Sequence, residues 1–114
     1  MVVNGFYKIG YGGSTGSGFG MLALAGGKIT GIDEAGIKYD GEYLEDEVTG
    51  SVQFHLRATV PADAQLVMGV PPRGEEWSFA VDSHLPANFA TGVPIKLRTQ
   101  FGAVTATFTL LRTL

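Results

Sequence analysis

The chain contains no cysteine among its 114 residues. This absence excludes a disulfide framework, a thiolate zinc site and a cysteine nucleophile. Positive charge is also scarce, because eight lysine and arginine residues are outnumbered by eleven acids, which leaves a formal net charge of −3. Binding to a phosphate backbone needs clustered basic residues, so we expect no direct nucleic-acid binding.

Long apolar runs are missing as well. No stretch approaches the ~18 apolar residues of a membrane-spanning helix, and residues 1–5 lack the basic and apolar regions of a signal peptide. We therefore expect a cytoplasmic protein that does not enter a membrane. The length of 114 residues corresponds to one domain, since single domains commonly contain ~100–150 residues.

Glycine, in contrast, is abundant, with 17 residues spread through a chain that is 45% hydrophobic. Apolar residues recur with a period of two, which is typical of strands with one buried and one exposed face. The alternation is clearest at Val52, Phe54, Leu56 and Ala58, and again at Val104, Ala106, Phe108 and Leu110. Many short strands separated by glycine-containing turns are therefore expected.

Turn residues delimit the strands, which we predict at 4–11, 18–25, 28–33, 37–45, 48–59, 64–70, 75–82 and 94–112, the last being a hairpin broken near Gly102. Short connections at 25–28 and 100–103 favour antiparallel neighbours. No helical segment is available to cover a sheet edge, so closure is the simplest way to remove edges. The predicted fold is all-β: one antiparallel up-and-down barrel of about eight strands over residues 1–114.

Catalytic and metal-binding motifs are weak. Residues 10–18 form a glycine-rich run that lacks the ending of a nucleotide loop, and within it Gly12, Ser14 and Gly16 match only the letters of a nucleophile elbow. We place His55 on an exposed strand face and His84 in a loop, and the pairs Asp33-Glu34 and Glu75-Glu76 at strand ends facing water. No catalytic residue, metal or cofactor is therefore predicted.

Three consecutive acids, Glu45, Asp46 and Glu47, lie where one strand should turn into the next. Adjacent carboxylates repel one another and should project into solvent. A solvated turn is the simpler interpretation, and docking of a basic protein is the functional one.

The first half of the chain resembles the GrlR-type negative regulators of type III secretion, which are small lipocalin-like (calycin-like) barrels. The resembling segments are 4–9 (NGFYKI), 18–22 (GFGML), 27–33 (GKITGID) and 39–41 (YDG), followed by the acidic turn and the strand through His55. The resemblance implies a homodimer that sequesters a transcriptional activator through a surface Glu-Asp-Glu-Asp motif. That motif falls here on Glu45, Asp46 and Glu47, with Val48 in place of the fourth acid.

Two functions follow as hypotheses. The first is a non-enzymatic regulator that binds a basic protein through Glu45, Asp46 and Glu47. The second is a carrier of a small apolar ligand inside the barrel, and its predicted lining residues are Phe54, Leu56, Trp77, Phe79, Leu97 and Phe108. Their size favours a filled interior over a hollow one. For the dimer contact we expect an exposed strand carrying Leu22 and Leu24.

Overall fold

The computed structural model describes residues 1–114 and contains eight strands and no helix. No segment therefore offers a helix that could cross a membrane. The strands are β1 (Gly5–Gly12), β2 (Ser17–Ala25), β3 (Lys28–Asp33), β4 (Lys38–Glu45), β5 (Val52–Val60), β6 (Trp77–Leu85), β7 (Ile95–Thr99) and β8 (Gly102–Thr113).

All eight strands belong to one antiparallel sheet with the order β6-β5-β4-β3-β2-β1-β8-β7. Each strand pairs with the next along the chain except β6 and β7, and the pairing of β1 with β8 brings the two ends of the chain together. Strands β6 and β7 lie beside each other without a hydrogen-bonded ladder. The sheet is thus a nearly closed up-and-down barrel, which confirms the predicted fold class.

Glycine shapes the shortest connection. The turn between β2 and β3 consists of Gly26 and Gly27, whose φ angles are 57° and 82°. Two consecutive residues with positive φ are what a two-residue hairpin turn of the favoured type needs, because its twist then matches that of the strands. The prediction of a tight hairpin at residues 25–28 is confirmed.

One predicted strand is absent and the bounds of two others are wrong. Residues 64–70 form no strand, because prolines flank the segment and its backbone hydrogen bonds are local, such as Leu66 N to Val70 O at 2.9 Å. Strand β5 begins at Val52 rather than at residue 48, because residues 46–50 turn around the Asp46 carboxylate. Strand β6 extends to Leu85, so His84 lies on a strand and not in a loop.

The apolar core consists of two clusters. The larger contains 13 buried residues and includes a set of aromatic rings, in which Phe54, Phe89 and Phe108 contact one another with centroids 5.7–6.0 Å apart. The smaller contains five buried residues, Ile37, Ala58, Val60, Ala64 and Leu66. Residues of the misassigned segment 64–70 therefore pack against the core as a loop, which explains their strand-like alternation.

The outer face of β2 differs from the prediction. Leu22 and Leu24 point into the barrel and are 1% and 0% exposed, so neither is accessible to a second subunit. Because side chains alternate between the two faces of a strand, the residues between these leucines point outward. Phe19 and Met21 of β2 are therefore exposed, next to Ile32 of β3. A homodimer stays a prediction, but Leu22 and Leu24 cannot form its contact because they are buried.

Strands β4 and β5 pack so closely at Gly41 that adding a side chain there should destabilise the fold. A Cβ atom built there would lie 1.9 Å from the carbonyl oxygen of His55, whereas one built at Gly16 would meet nothing within 4 Å. We expect Gly41→Ala to lower the free energy of unfolding by about 1–3 kcal/mol and Gly16→Ala to change it by less than about 0.5 kcal/mol. Urea denaturation measures both, and equal effects would contradict the packing argument.

Candidate functional site

A cavity of about 390 Å³ occupies one end of the barrel. Of the 21 residues in its wall, 16 are hydrophobic, and both core clusters contribute to them, so the cavity interrupts the core. The exposed residues of the cavity wall are Ser17 after the β1–β2 loop, Glu34 and Ala35 in the β3–β4 loop and Gln65 in the β5–β6 loop. These three loops therefore surround the mouth of the cavity.

The β5–β6 loop, residues 61–76, lies over this end of the barrel. Its residues Leu66, Val67 and Met68 form part of the cavity wall. The loop is attached to the β1–β2 loop by Thr15, whose backbone N and Oγ1 both donate to the carbonyl oxygen of Val67 at 2.9 Å. Burial of Ala64 and Leu66 in the smaller core cluster also holds this loop against the barrel.

Four of the six predicted lining residues form part of the cavity wall: Leu56, Phe79, Leu97 and Phe108. Phe54 does not, because it is 1% exposed within the aromatic cluster. Trp77 does not either, since its ring packs between Phe79 and the guanidinium of Arg73, 3.7 Å from the ring centroid. The expectation of a filled interior is also corrected, because large side chains close only one end of the barrel.

A buried carboxylate, Asp33, lies behind the cavity wall and is 6% exposed. Its Oδ1 accepts hydrogen bonds from the backbone N–H groups of Ala35 and Ile37 at 2.9 and 3.0 Å. Its Oδ2 accepts hydrogen bonds from the hydroxyls of Tyr11 and Tyr39 at 2.5 and 2.7 Å. The prediction that Asp33 faces water is wrong, because the side chain points into the barrel and its oxygens are satisfied there.

Burial is the largest cause that raises the pKa of Tyr11 and of Tyr39 far above their ordinary value of 10.0, and the Asp33 carboxylate adds to it. Both hydroxyls therefore keep their protons and remain donors to Asp33. Glycine leaves room for this cluster, since a Cβ atom at Gly18 would lie 2.6 Å from the Tyr11 hydroxyl and one at Gly20 would lie 2.7 Å from Asp33. In the sequence, the alternating glycines Gly18 and Gly20 of β2 are the sign that neighbouring strands place large or polar side chains inward at this point.

The three acids of the predicted partner site have different environments. Glu45 is partly buried and receives the backbone N–H of Val2, and its Oε2 lies 3.4 Å from the N-terminal amine. Asp46 Oδ1 accepts from the N–H groups of Val48 and Thr49 at 2.8 and 3.1 Å, which closes the turn. Glu47 is exposed and makes no hydrogen bond or ion pair with the rest of the chain. Only Glu47 is therefore unengaged by the fold.

Neither histidine meets Ser14 or Ser17. His55 Nδ1 lies 2.7 Å from Asp82 Oδ1 on the outer surface, and His84 Nε2 lies 3.1 Å from Ser51 Oγ in a small polar hollow beside the acidic turn. The His84 Nδ1 atom has no carboxylate partner to orient the ring, which a nucleophile and base pair would need. The loop containing Ser14 joins two strands rather than a strand and a helix, so it is not a nucleophile elbow.

No cluster of three or more His, Cys, Asp or Glu residues has metal-binding geometry. Comparison of the chain with protein-family models, curated proteins and solved structures finds no match. The resemblance to GrlR-type regulators therefore stays a prediction.

The Asp46 turn generates a pH-dependent prediction. Hydrogen bonds from Thr49 and Val48 lower the pKa of Asp46 below its ordinary value of 3.8. Because the folded pKa is the lower one, this contribution to stability is complete above the unfolded pKa and is lost as the pH falls through the folded pKa. We expect Asp46→Ala to destabilise the fold more at pH 7 than at acidic pH, as measured by urea denaturation, because the protonated wild-type side chain still accepts hydrogen bonds but has lost its charge.

Asp46→Asn is the matched control, because its amide oxygen accepts the same two hydrogen bonds without titrating. It should retain much of the stability at both pH values. An Asp46→Ala variant that is equally destabilised at neutral and acidic pH would show that the carboxylate charge does not stabilise the turn.

Proposed function

We propose that the protein binds a small apolar ligand inside the barrel. The cavity of about 390 Å³ carries this proposal. Ligand sites commonly measure ~300–1,000 Å³ and are lined mainly by hydrophobic side chains. A dry apolar cavity of about 150 Å³ already accommodates benzene. The available space is therefore sufficient for a ligand of two rings or a medium-length chain.

The surroundings of the cavity support binding rather than catalysis. The wall residues Leu56, Phe79 and Leu97 supply apolar contacts. The wall also contains the hydroxyls of Ser17 and Thr99, but no histidine or lysine beside them that could act as a base. A ligand would enter through the mouth between the β1–β2, β3–β4 and β5–β6 loops. Release of the ligand would follow the same route.

Binding of a basic protein at the acidic turn is a second candidate function. One observation favours it: the unengaged Glu47 has exposed apolar neighbours, Leu44 at 68% and Val48 at 94% exposure. A charge beside exposed apolar side chains is a composition found at protein interfaces. Glu45 and Asp46 would then shape the turn, while Glu47 would make the electrostatic contact. The GrlR-type resemblance supports a transcriptional activator as the partner.

Filling the cavity tests the first proposal. Val81 lies in the cavity wall, whereas its neighbour Ala80 points outward and is exposed. We expect Val81→Phe to weaken binding of the uncharged dye N-phenylnaphthylamine by at least about tenfold, because the new ring occupies the binding space. The same change should stabilise the fold by about 1 kcal/mol.

Energy transfer from Trp77 provides the readout, since this single tryptophan contacts the wall residue Phe79 with centroids 5.4 Å apart. The matched control Ala80→Phe adds a ring on the outside and should leave dye affinity unchanged. Equal dye binding by wild type and Val81→Phe, with both folded, would overturn the proposal of an internal site.

Charge reversal tests the second candidate. We expect Glu47→Lys to abolish the salt-sensitive fraction of proteins that the immobilised barrel captures, because its charge would repel a basic surface. Quantitative mass spectrometry at low and high salt measures this fraction. Glu76→Lys reverses an exposed charge elsewhere and is the control. Identical captured sets for the two variants would exclude Glu47 as the contact.

A further inference from the structure

The polar groups of the cavity wall limit which ligands it accepts. Tyr11 and Tyr39 are wall residues, and the hydroxyl of each donates its proton to Asp33 Oδ2. A tyrosine hydroxyl has one proton. With that proton engaged, each hydroxyl oxygen offers a ligand lone pairs only, and so acts only as an acceptor.

Asp33 itself has no remaining capacity for a ligand. Its two oxygens accept four hydrogen bonds, from two backbone N–H groups and two tyrosines. An acid that accepts four donated hydrogen bonds carries no proton to donate. The cluster therefore presents acceptors to the cavity, with a buried negative charge behind them.

The rest of the wall contributes no cation. Its other hydroxyl and amide side chains are Ser17 and Gln65, which are exposed at the mouth, and Thr99, whose hydroxyl donates to the carbonyl oxygen of Gly102 at 2.8 Å. Glu34 is the one charged residue in the wall, which contains no lysine, arginine or histidine. An anionic group in the cavity would lose its hydration without gaining a cationic partner, and it would lie near two carboxylates. A neutral group with a hydrogen to donate would instead satisfy a tyrosine oxygen.

We propose that the cavity selects apolar molecules whose polar end is an uncharged hydrogen-bond donor, such as an aliphatic alcohol, and rejects the corresponding carboxylates. This inference rests on the proposed internal binding site and specifies its ligand class. The tyrosine pair is the specificity determinant, and Asp33 acts by fixing the direction of the two hydroxyl protons.

Displacement of N-phenylnaphthylamine by three molecules of equal chain length tests the selectivity: decanol, its methyl ether and decanoate, each below the concentration at which it self-associates. Decanol should displace the dye most effectively. The ether, which has no hydrogen to donate, should bind about tenfold more weakly, and decanoate at neutral pH should bind more weakly by at least about that factor.

Asp33→Asn should change the preference. The new amide has one oxygen to accept from the backbone N–H groups and one nitrogen that donates to a tyrosine, so a hydroxyl proton becomes free to point toward the ligand. We expect decanoate affinity to rise by about tenfold relative to decanol. Asp40→Asn is the control, because it removes one acid from the exposed outer face of β4 and should leave the ratio unchanged.

Tyr11→Phe gives an independent readout if Asp33→Asn does not fold. It removes one acceptor while Tyr39 still donates to Asp33, so the advantage of decanol over its ether should shrink. Decanoate binding as tight as decanol to the wild type would overturn the ligand-class inference but leave the internal site in place. Absence of any dye binding would overturn the proposed site together with the inference.

Discussion

The pairing of β1 with β8 is the constraint on which the rest of the structure depends. It joins strands from opposite ends of the chain along the whole of β1, from Gly5 to Gly12. Without this ladder the sheet would be an open meander with one face in water, and the inward side chains would have no interior to fill. The core, the cavity and the buried carboxylate all follow from the near-closure of one sheet.

Closure creates more interior space than the side chains occupy. The aromatic cluster around Phe54, Phe89 and Phe108 fills one end, whereas the other end is covered by a loop without strand partners. Close packing is the rule in protein interiors, and the proposed ligand site rests on this unfilled apolar volume. The same end contains Asp33 and its two tyrosine donors, so an otherwise apolar cavity has polar groups on one side.

The acidic turn illustrates how residues that look equivalent in a sequence differ in a fold. Glu45, Asp46 and Glu47 are consecutive acids, but the strand pleat turns Glu45 toward the N-terminus while Asp46 closes the turn with its own carboxylate. Glu47 is left for solvent or for a partner. Substituting all three together would therefore mix effects on stability with effects on binding.

Alternation of apolar and polar residues determined the fold class and most strand positions, because a half-buried strand must repeat with a period of two. The same alternation misled at residues 64–70, where apolar residues face the core from a loop, since periodicity reports burial and not strand pairing. It could not reveal that Asp33 lies inside, because charge normally faces water and only the convergence of Tyr11, Tyr39 and two amides makes its burial favourable. The sequence also contains the large apolar residues of the interior, but it does not say whether their side chains fill the barrel. That depends on the barrel diameter and on the position of the loops, which only the tertiary structure decided.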